Sequence, residues 1–296
     1  MKVLLIGANG QLGRNLHYDL KLNHWNVIPI TRQQWDMASN PSYGIEITNF
    51  YKPDFIINLA AYTNVDAAEN ESYIANKVNC LSAKYLAIGA QSIGAPLIHL
   101  STDYVFHGDS KDRYKEYDDT NPVNEYGRTK LCGEKEVTKN CEKFLIIRTS
   151  WLFSLDGNNF FNTIVNLSKT KNQIRVINDQ WGCPTSISSL SKAINELIKS
   201  TIVDKNHYWG IYHFSGDKVV SWYQFAEQIL REISLKDPAY IIPELKPCLS
   251  KDYGSIAERP KYSALNNNLI KEKFNIPSCD WRSDLKKTVK KLIFSR

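Results

Sequence analysis

Tyr126 and Lys130 stand four residues apart in the run Tyr126-Gly127-Arg128-Thr129-Lys130. On a helix that spacing puts both side chains on one face, a turn apart. A phenol with an ordinary pKa of about 10 gives up its proton poorly at neutral pH. A neighbouring ammonium favours the phenolate and brings the Tyr toward a useful range for proton transfer. The same ammonium can hold a ribose hydroxyl. The chain has 16 tyrosines and a second pair at this spacing, Tyr73 and Lys77, so spacing alone does not select the site. The selection comes from upstream. Ala95 to Leu100 reads as a buried strand and runs into Ser101-Thr102-Asp103-Tyr104-Val105-Phe106. Ligands of open parallel sheets gather at the carboxyl ends of strands, which sets the Thr102 hydroxyl where it would bond a substrate oxygen. Tyr126 opens a helix after Asn121-Pro122, whereas Tyr73 is expected in mid-helix with no strand end ahead of it.

The elements that must position these groups begin at the N-terminus. Val3 to Ile6 is a short apolar strand, and Gly7-Ala8-Asn9-Gly10-Gln11-Leu12-Gly13 follows it as G-x-x-G-x-x-G, leading into a helix near Leu12. Glycines admit close approach of a pyrophosphate, and the helix N-terminus offers free N–H groups and the positive dipole end. A second strand, Val27 to Ile30, ends at Thr31-Arg32 with no acid for ribose hydroxyls. Arg32 would instead meet a 2′-phosphate, which favours NADPH over NADH. Asp54 to Asn58 is a third strand, closing on the small residues Ala60, Ala61 and Thr63, and a helix from about Glu71 to Gln91 crosses back. With the strand Phe144 to Arg148 the alternation describes an α/β chain folded as a doubly wound parallel sheet.

A strand-end hydroxyl, a following Tyr-x-x-x-Lys and an opening nucleotide loop resemble the extended short-chain dehydrogenase/reductases of the sugar-nucleotide type, and among them the dTDP-4-dehydrorhamnose reductase family. Ser101 to Phe106, Arg148-Thr149-Ser150-Trp151, Gln180 to Thr185 and Arg259 to Leu265 carry the likeness, which spans nearly the whole chain and is weakest between Thr201 and Ser250. It implies a Rossmann-type sheet with a smaller C-terminal substrate-binding α/β domain. Residues 1–150 would bind the dinucleotide, segments near 174–200 and 221–234 would return to that domain, and 151–296 would mainly form the substrate region.

The resemblance also assigns roles. Thr102, Tyr126 and Lys130 would be catalytic. Gly7, Asn9, Gly10, Gln11, Leu12, Arg32, Asp36, Met37, Ala60, Ala61 and Thr63 would hold the cofactor together with Tyr126 and Lys130. Thr102, Asp103, Tyr104, Val105, Tyr126, Trp151 and Arg259 would hold the nucleotide sugar, the Arg through a phosphate-matching fork. The implied reaction is reduction of the C4 ketone of dTDP-4-dehydro-6-deoxy-L-mannose to dTDP-L-rhamnose by NADPH, with NADH as the other donor the fold can use. It is the last step of dTDP-rhamnose synthesis for cell-surface polysaccharides such as lipopolysaccharide O-antigen. Related dehydratases carry Thr-Asp-Glu, and here the triplet is Thr102-Asp103-Tyr104, so elimination is disfavoured. A nucleotide-sugar 4-epimerase uses the same three roles and stays open. So does a non-catalytic regulatory subunit of the methionine adenosyltransferase type, which shares the fold.

Bulk properties narrow the remaining classes. A chain of 296 residues with 43% hydrophobic and 23% charged side chains can bury a large core. No apolar run approaches the roughly 18 residues of a membrane span, and Met1-Lys2 leads into a strand without a signal-peptide pattern, so the cytoplasm is expected. The six cysteines form no C-x-x-C pair and read as reduced thiols, Cys183 as a packing residue. The net charge of +6 is spread out, which argues for a nucleotide-sugar partner and against nucleic acid or membrane. A homodimer fits the family. No His/Asp/Glu spacing marks a dedicated metal site; magnesium, used by parts of the family, is not expected in catalysis. The acid-rich stretch Gly108 to Asp119 reads as a solvated loop, and His213 as structural.

Overall fold

A computed structural model describes residues 1–203 and 208–294. The first half alternates β1 (Lys2–Ile6), α1 (Gln11–Leu22), β2 (Asn26–Ile30), α2 (Tyr43–Tyr51), β3 (Phe55–Asn58), α3 (Val65–Asn70), α4 (Ser72–Asn76), a π-turn (Lys77–Leu81), α5 (Ser82–Ile93), β4 (Leu97–Thr102), α6 (Glu125–Asn140) and β5 (Phe144–Thr149). The second half adds β6 (Leu152–Phe153), α7 (Phe160–Ser168), β7 (Gln173–Ile177), β8 (Trp181–Gly182), β9 (Thr185–Ser186), α8 (Ile187–Val203), β10 (Gly210–His213), β11 (Val220–Ser221), α9 (Trp222–Ser234), β12 (Glu244–Cys248), α10 (Asn268–Phe274) and α11 (Trp281–Phe294).

Six strands form one sheet in the order β10-β5-β4-β3-β1-β2, every pairing parallel. Strands covered on both faces read as unbroken apolar runs, as in Val3-Leu4-Leu5-Ile6, each at most 2% exposed. The chain leaves β1 for β2 on one side and then crosses to β3 on the other. That reversal opens a crevice above the carboxyl ends of β1 and β3. α1 and α8 pack together on one face of the sheet, while α2, α5 and α6 pack in a row on the other.

The strand order adds to the sequence reading at one point. Gly210–His213 is a sheet strand, register-paired with Leu145–Arg148, so the sheet is completed from well beyond residue 150. The segment 221–234 packs chiefly on α7, α11, β7 and β12, because its apolar face (Phe225, Ala226, Ile229, Leu230, Ile233) has its counterpart there. Small pairings knit the second half: β6 with β9, β8 with β11 and β7 with β12.

Two further expectations change. Cys80 and Cys132 form a disulfide across the π-turn and α6, with Cα atoms 5.2 Å apart, and the other four cysteines are free. Sequence spacing could not show this, since the two cysteines, 52 positions apart, are brought together by helix packing. The stretch from Gly108 to Asp119 is anchored as well as solvated. Tyr114 stacks on Phe106, the Arg113 guanidinium donates to the carbonyls of Leu265 and Asp217, and Glu116 accepts from the His213 backbone. Among the described residues no helix is long and apolar enough to cross a membrane.

Candidate active site

The carboxyl ends of β1 to β5 open onto a single cleft of about 900 Å³. Its floor is the loop after β1. Gly7 adopts φ +80°, and a Cβ there would lie 2.7 Å from the Ala60 nitrogen, so the turn closes only on glycine. α1 starts at Gly10 with no side-chain cap and no acid in its first turn. Its free N–H groups and dipole therefore face the cleft undamped. Arg14 and Arg32 line the same wall. Arg32 is highly exposed and rests 3.6 Å from Asp36. An uncapped helix start with two guanidiniums beside it fits a dinucleotide pyrophosphate and an additional phosphate. Gly7, Asn9, Gly10, Gln11, Leu12 and Asp36 all line this part. Met37, Ala60, Ala61 and Thr63 continue the wall toward Thr102.

The reactive groups meet at the end of β4. Thr102 ends the strand, donates to Asp103 Oδ1 at 3.0 Å and accepts the Tyr104 N–H at 3.2 Å. α6 is docked against this turn by its own start. Asn124 caps it by accepting the Gly127 N–H at 2.8 Å, and a Cβ on Gly127 would fall on the Tyr104 carbonyl. Only glycine lets the helix come so close. Tyr126 and Lys130 thereby reach the cleft beside Thr102, and the Tyr126 ring stands edge-on to Tyr104 with centroids 5.8 Å apart. Lys130 is 2% exposed and donates to the Leu100 carbonyl at 2.6 Å.

Burial sets the proton affinities here. It pushes the Tyr126 phenol up to about 12, partly offset by hydrogen bonding with Thr102. The lowering expected from Lys130 is not among the effects at work, and desolvation of the phenolate is the largest of them. Burial also carries the Lys130 ammonium down to about 8 against the pull of Glu134, and lifts the Asp103 carboxyl to about 7. A phenol held protonated is a donor, suited to an oxygen that becomes strongly basic during reaction.

The family model of the RmlD substrate binding domain matches residues 1–294. The chain belongs to that family. A dTDP-4-dehydrorhamnose reductase from Aggregatibacter actinomycetemcomitans is 37% identical over 96% of this chain and 97% of its own. The crystal structure of a dTDP-4-dehydrorhamnose reductase from Clostridium acetobutylicum is similar with a TM-score of 0.91 at 37% identity, covering 99% of this chain and 100% of that one. A family structure from Bacillus anthracis, solved in complex with NADP, has a TM-score of 0.88 at 35% identity, covering 98% and 99%.

Of the residues expected at the site, Thr102, Asp103, Tyr104, Tyr126, Lys130 and Trp151 share the cleft with every expected cofactor residue. Two stand apart. Val105 is fully buried in a cluster with Phe106, Tyr114, Leu131 and Leu265, so its side chain faces the core and not the cleft. Arg259 lies beside the cleft, ion-paired to Asp66 at 2.7 Å. Trp151 lines the cleft in a left-handed conformation, φ 49°, with one face covered by Trp222. Trp222 and Arg14 also line the cleft and escaped sequence reasoning. Arg14 follows the glycine run by one residue, a signal that was available; Trp222 is brought in from α9 by folding alone. The decoy pair lies elsewhere: Tyr73 is 70% exposed near the start of α4, with the Lys77 ammonium 4.6 Å from its ring centroid. Among the described residues no group of three or more His, Cys, Asp or Glu is placed to hold a metal ion.

Proposed function

We propose that the chain reduces the C4 ketone of dTDP-4-dehydro-6-deoxy-L-mannose to dTDP-L-rhamnose. The observation that carries this reading is the convergence of Thr102, Tyr126 and Lys130 at one end of a cleft whose other end is an uncapped, arginine-flanked helix start. Bound NADPH supplies the hydride for the carbonyl carbon. Tyr126 donates its proton to the ketone oxygen as charge develops there, and Thr102 gives that oxygen a second hydrogen bond on exchange from Asp103. Lys130 holds the nicotinamide ribose and places a positive charge behind Tyr126. Asp103, Tyr104 and the Trp151 edge border the sugar, and Arg259 takes a diphosphate oxygen. Tyr104 in the position where dehydratases carry Glu supports reduction over elimination. The spread positive charge supports a small anionic ligand, and we include cytoplasmic action and a homodimer in the same reading.

The test is NADPH oxidation with freshly made dTDP-4-dehydro-6-deoxy-L-mannose, followed at the nicotinamide absorbance. One NADPH should be consumed per sugar, and Tyr126→Phe should lower kcat by about 10²–10⁴-fold. A 4-epimerase would convert sugar with no net NADPH consumption. Tight NADPH binding without turnover would favour a regulatory subunit.

A further inference from the structure

Behind the reactive groups lies a buried charge pair that none of the roles above uses. Glu134 is 2% exposed and Arg148 3% exposed, and they join α6 to β5 through two near-parallel bonds, Nε to Oε1 at 3.0 Å and Nη2 to Oε2 at 2.7 Å. Glu134 Oε1 also accepts the Ser101 hydroxyl at 2.5 Å. Arg148 is held in turn by the Glu116 carbonyl, by His213 at 3.4 Å and by the Phe106 ring beneath it. Glu134 is four residues after Lys130 on the same helix, one turn away. Ser101 is flanked by Leu100, whose carbonyl takes the Lys130 ammonium, and by Thr102. One carboxylate thus fixes the helix bearing Tyr126 and Lys130 against the strand bearing Thr102.

We propose that Glu134 is a positioning residue for the reduction: its carboxylate sets the register of α6 on the end of β4 and keeps Lys130 charged. The second role follows from what surrounds the ammonium. Glu134 acts on it from α6 and His99 lies near it from β4, whose Leu100 carbonyl takes its hydrogen bond. Of these, Glu134 is the group that holds the ammonium's proton in place against burial. A hydrophobic pair of the same volume would serve packing as well as a buried ion pair, so the charge needs a reason, and Lys130 supplies one.

This inference rests on the proposed reduction, so its test includes a measurement that needs no turnover. The pH midpoint for acetylation of Lys130 would be read by peptide mass spectrometry in wild type and Glu134→Gln. Exposed Lys171 serves as internal control. The expected result is a fall of about one pH unit at Lys130 alone, the size typical for losing a close opposite charge. The alkaline limb of kcat should move down by the same amount. Ser101→Ala, which keeps both charges, should lower kcat several-fold with the Lys130 midpoint unmoved. Should Glu134→Gln fail to fold, Glu134→Gln/Arg148→Gln removes both charges together, and a smaller fall is expected because the repulsion from Arg148 goes with it. An unmoved midpoint in the folded variant overturns the proposal, as does an unchanged kcat in Ser101→Ala. Absence of turnover in wild type, with the midpoint shift present, would instead count against the reduction and leave the link between Glu134 and Lys130 standing.

Discussion

A carboxyl group that keeps its proton to about pH 7 bonds the Thr102 hydroxyl, and this has a consequence for stability. The folded Asp103 binds its proton more tightly than the unfolded chain does. Its contribution is therefore fully present below about pH 4 and is lost as pH rises toward 7, after which it stays lost. Asp103→Asn removes that titration. The variant should gain on wild type between pH 4 and 7, by on the order of 3–4 kcal/mol, read from urea unfolding at each pH. A constant difference across that range would mean Asp103 is ionised throughout. At this scale the site was largely legible: Thr102, Tyr126 and Lys130 are found from residue type, spacing and a strand end. What misled was the environment. A Lys one turn from a Tyr lowers its pKa in water, but the sequence does not show how much water the fold removes, and here removal dominates. Glu134 escaped for the same reason, since a Glu on a helix reads as surface until its partner on another strand is known.

Elements were legible where one local pattern decides them. The buried strands are apolar runs, α1 follows its glycines, and α9 begins at a Ser221/Gln224 capping box. Elements closed by distant partners were not. Tyr114 and Glu116 lie in a stretch that counts as acidic and polar, and only Phe106 and His213 show why the first is buried and the second half-buried. The π-turn is similar: Asn79 within it bonds the Tyr62 backbone and the Thr129 hydroxyl, and Cys80 beside it is bonded to Cys132, two residues past Lys130. Thiol titration of the unfolded protein should find four groups without reductant and six with it. Six in both cases would leave the two cysteines as neighbours only. Reduction should lower stability by about 2–4 kcal/mol, as expected for releasing a loop of this length.

Across the whole molecule, the two halves are stitched beside the cleft. The Asp66 carboxylate accepts the Ala257 N–H at 3.0 Å and the Arg259 guanidinium at 2.7 Å, and Asn124 donates to the Glu258 carbonyl. A helix of the first half thus holds the loop that carries Arg259. Asp66→Ala should raise KM for the nucleotide sugar about fivefold, the worth of a partly exposed charged bond, with NADPH affinity unchanged in a fluorescence titration. A fall in KM would mean that Asp66 competes with the sugar diphosphate for Arg259. Where the sheet's sixth strand pairs and what anchors the Arg259 segment were not visible in sequence, because both depend on contacts between residues more than 60 positions apart. The stacked indoles of Trp151 and Trp222 form one wall of the cleft, with centroids 3.4 Å apart and planes within 4°. Two identical chromophores so close share their excitation, so the pair forms a built-in optical gauge. Its circular-dichroism couplet and quenched emission would report, without any label, how this wall of the cleft shifts as ligands enter.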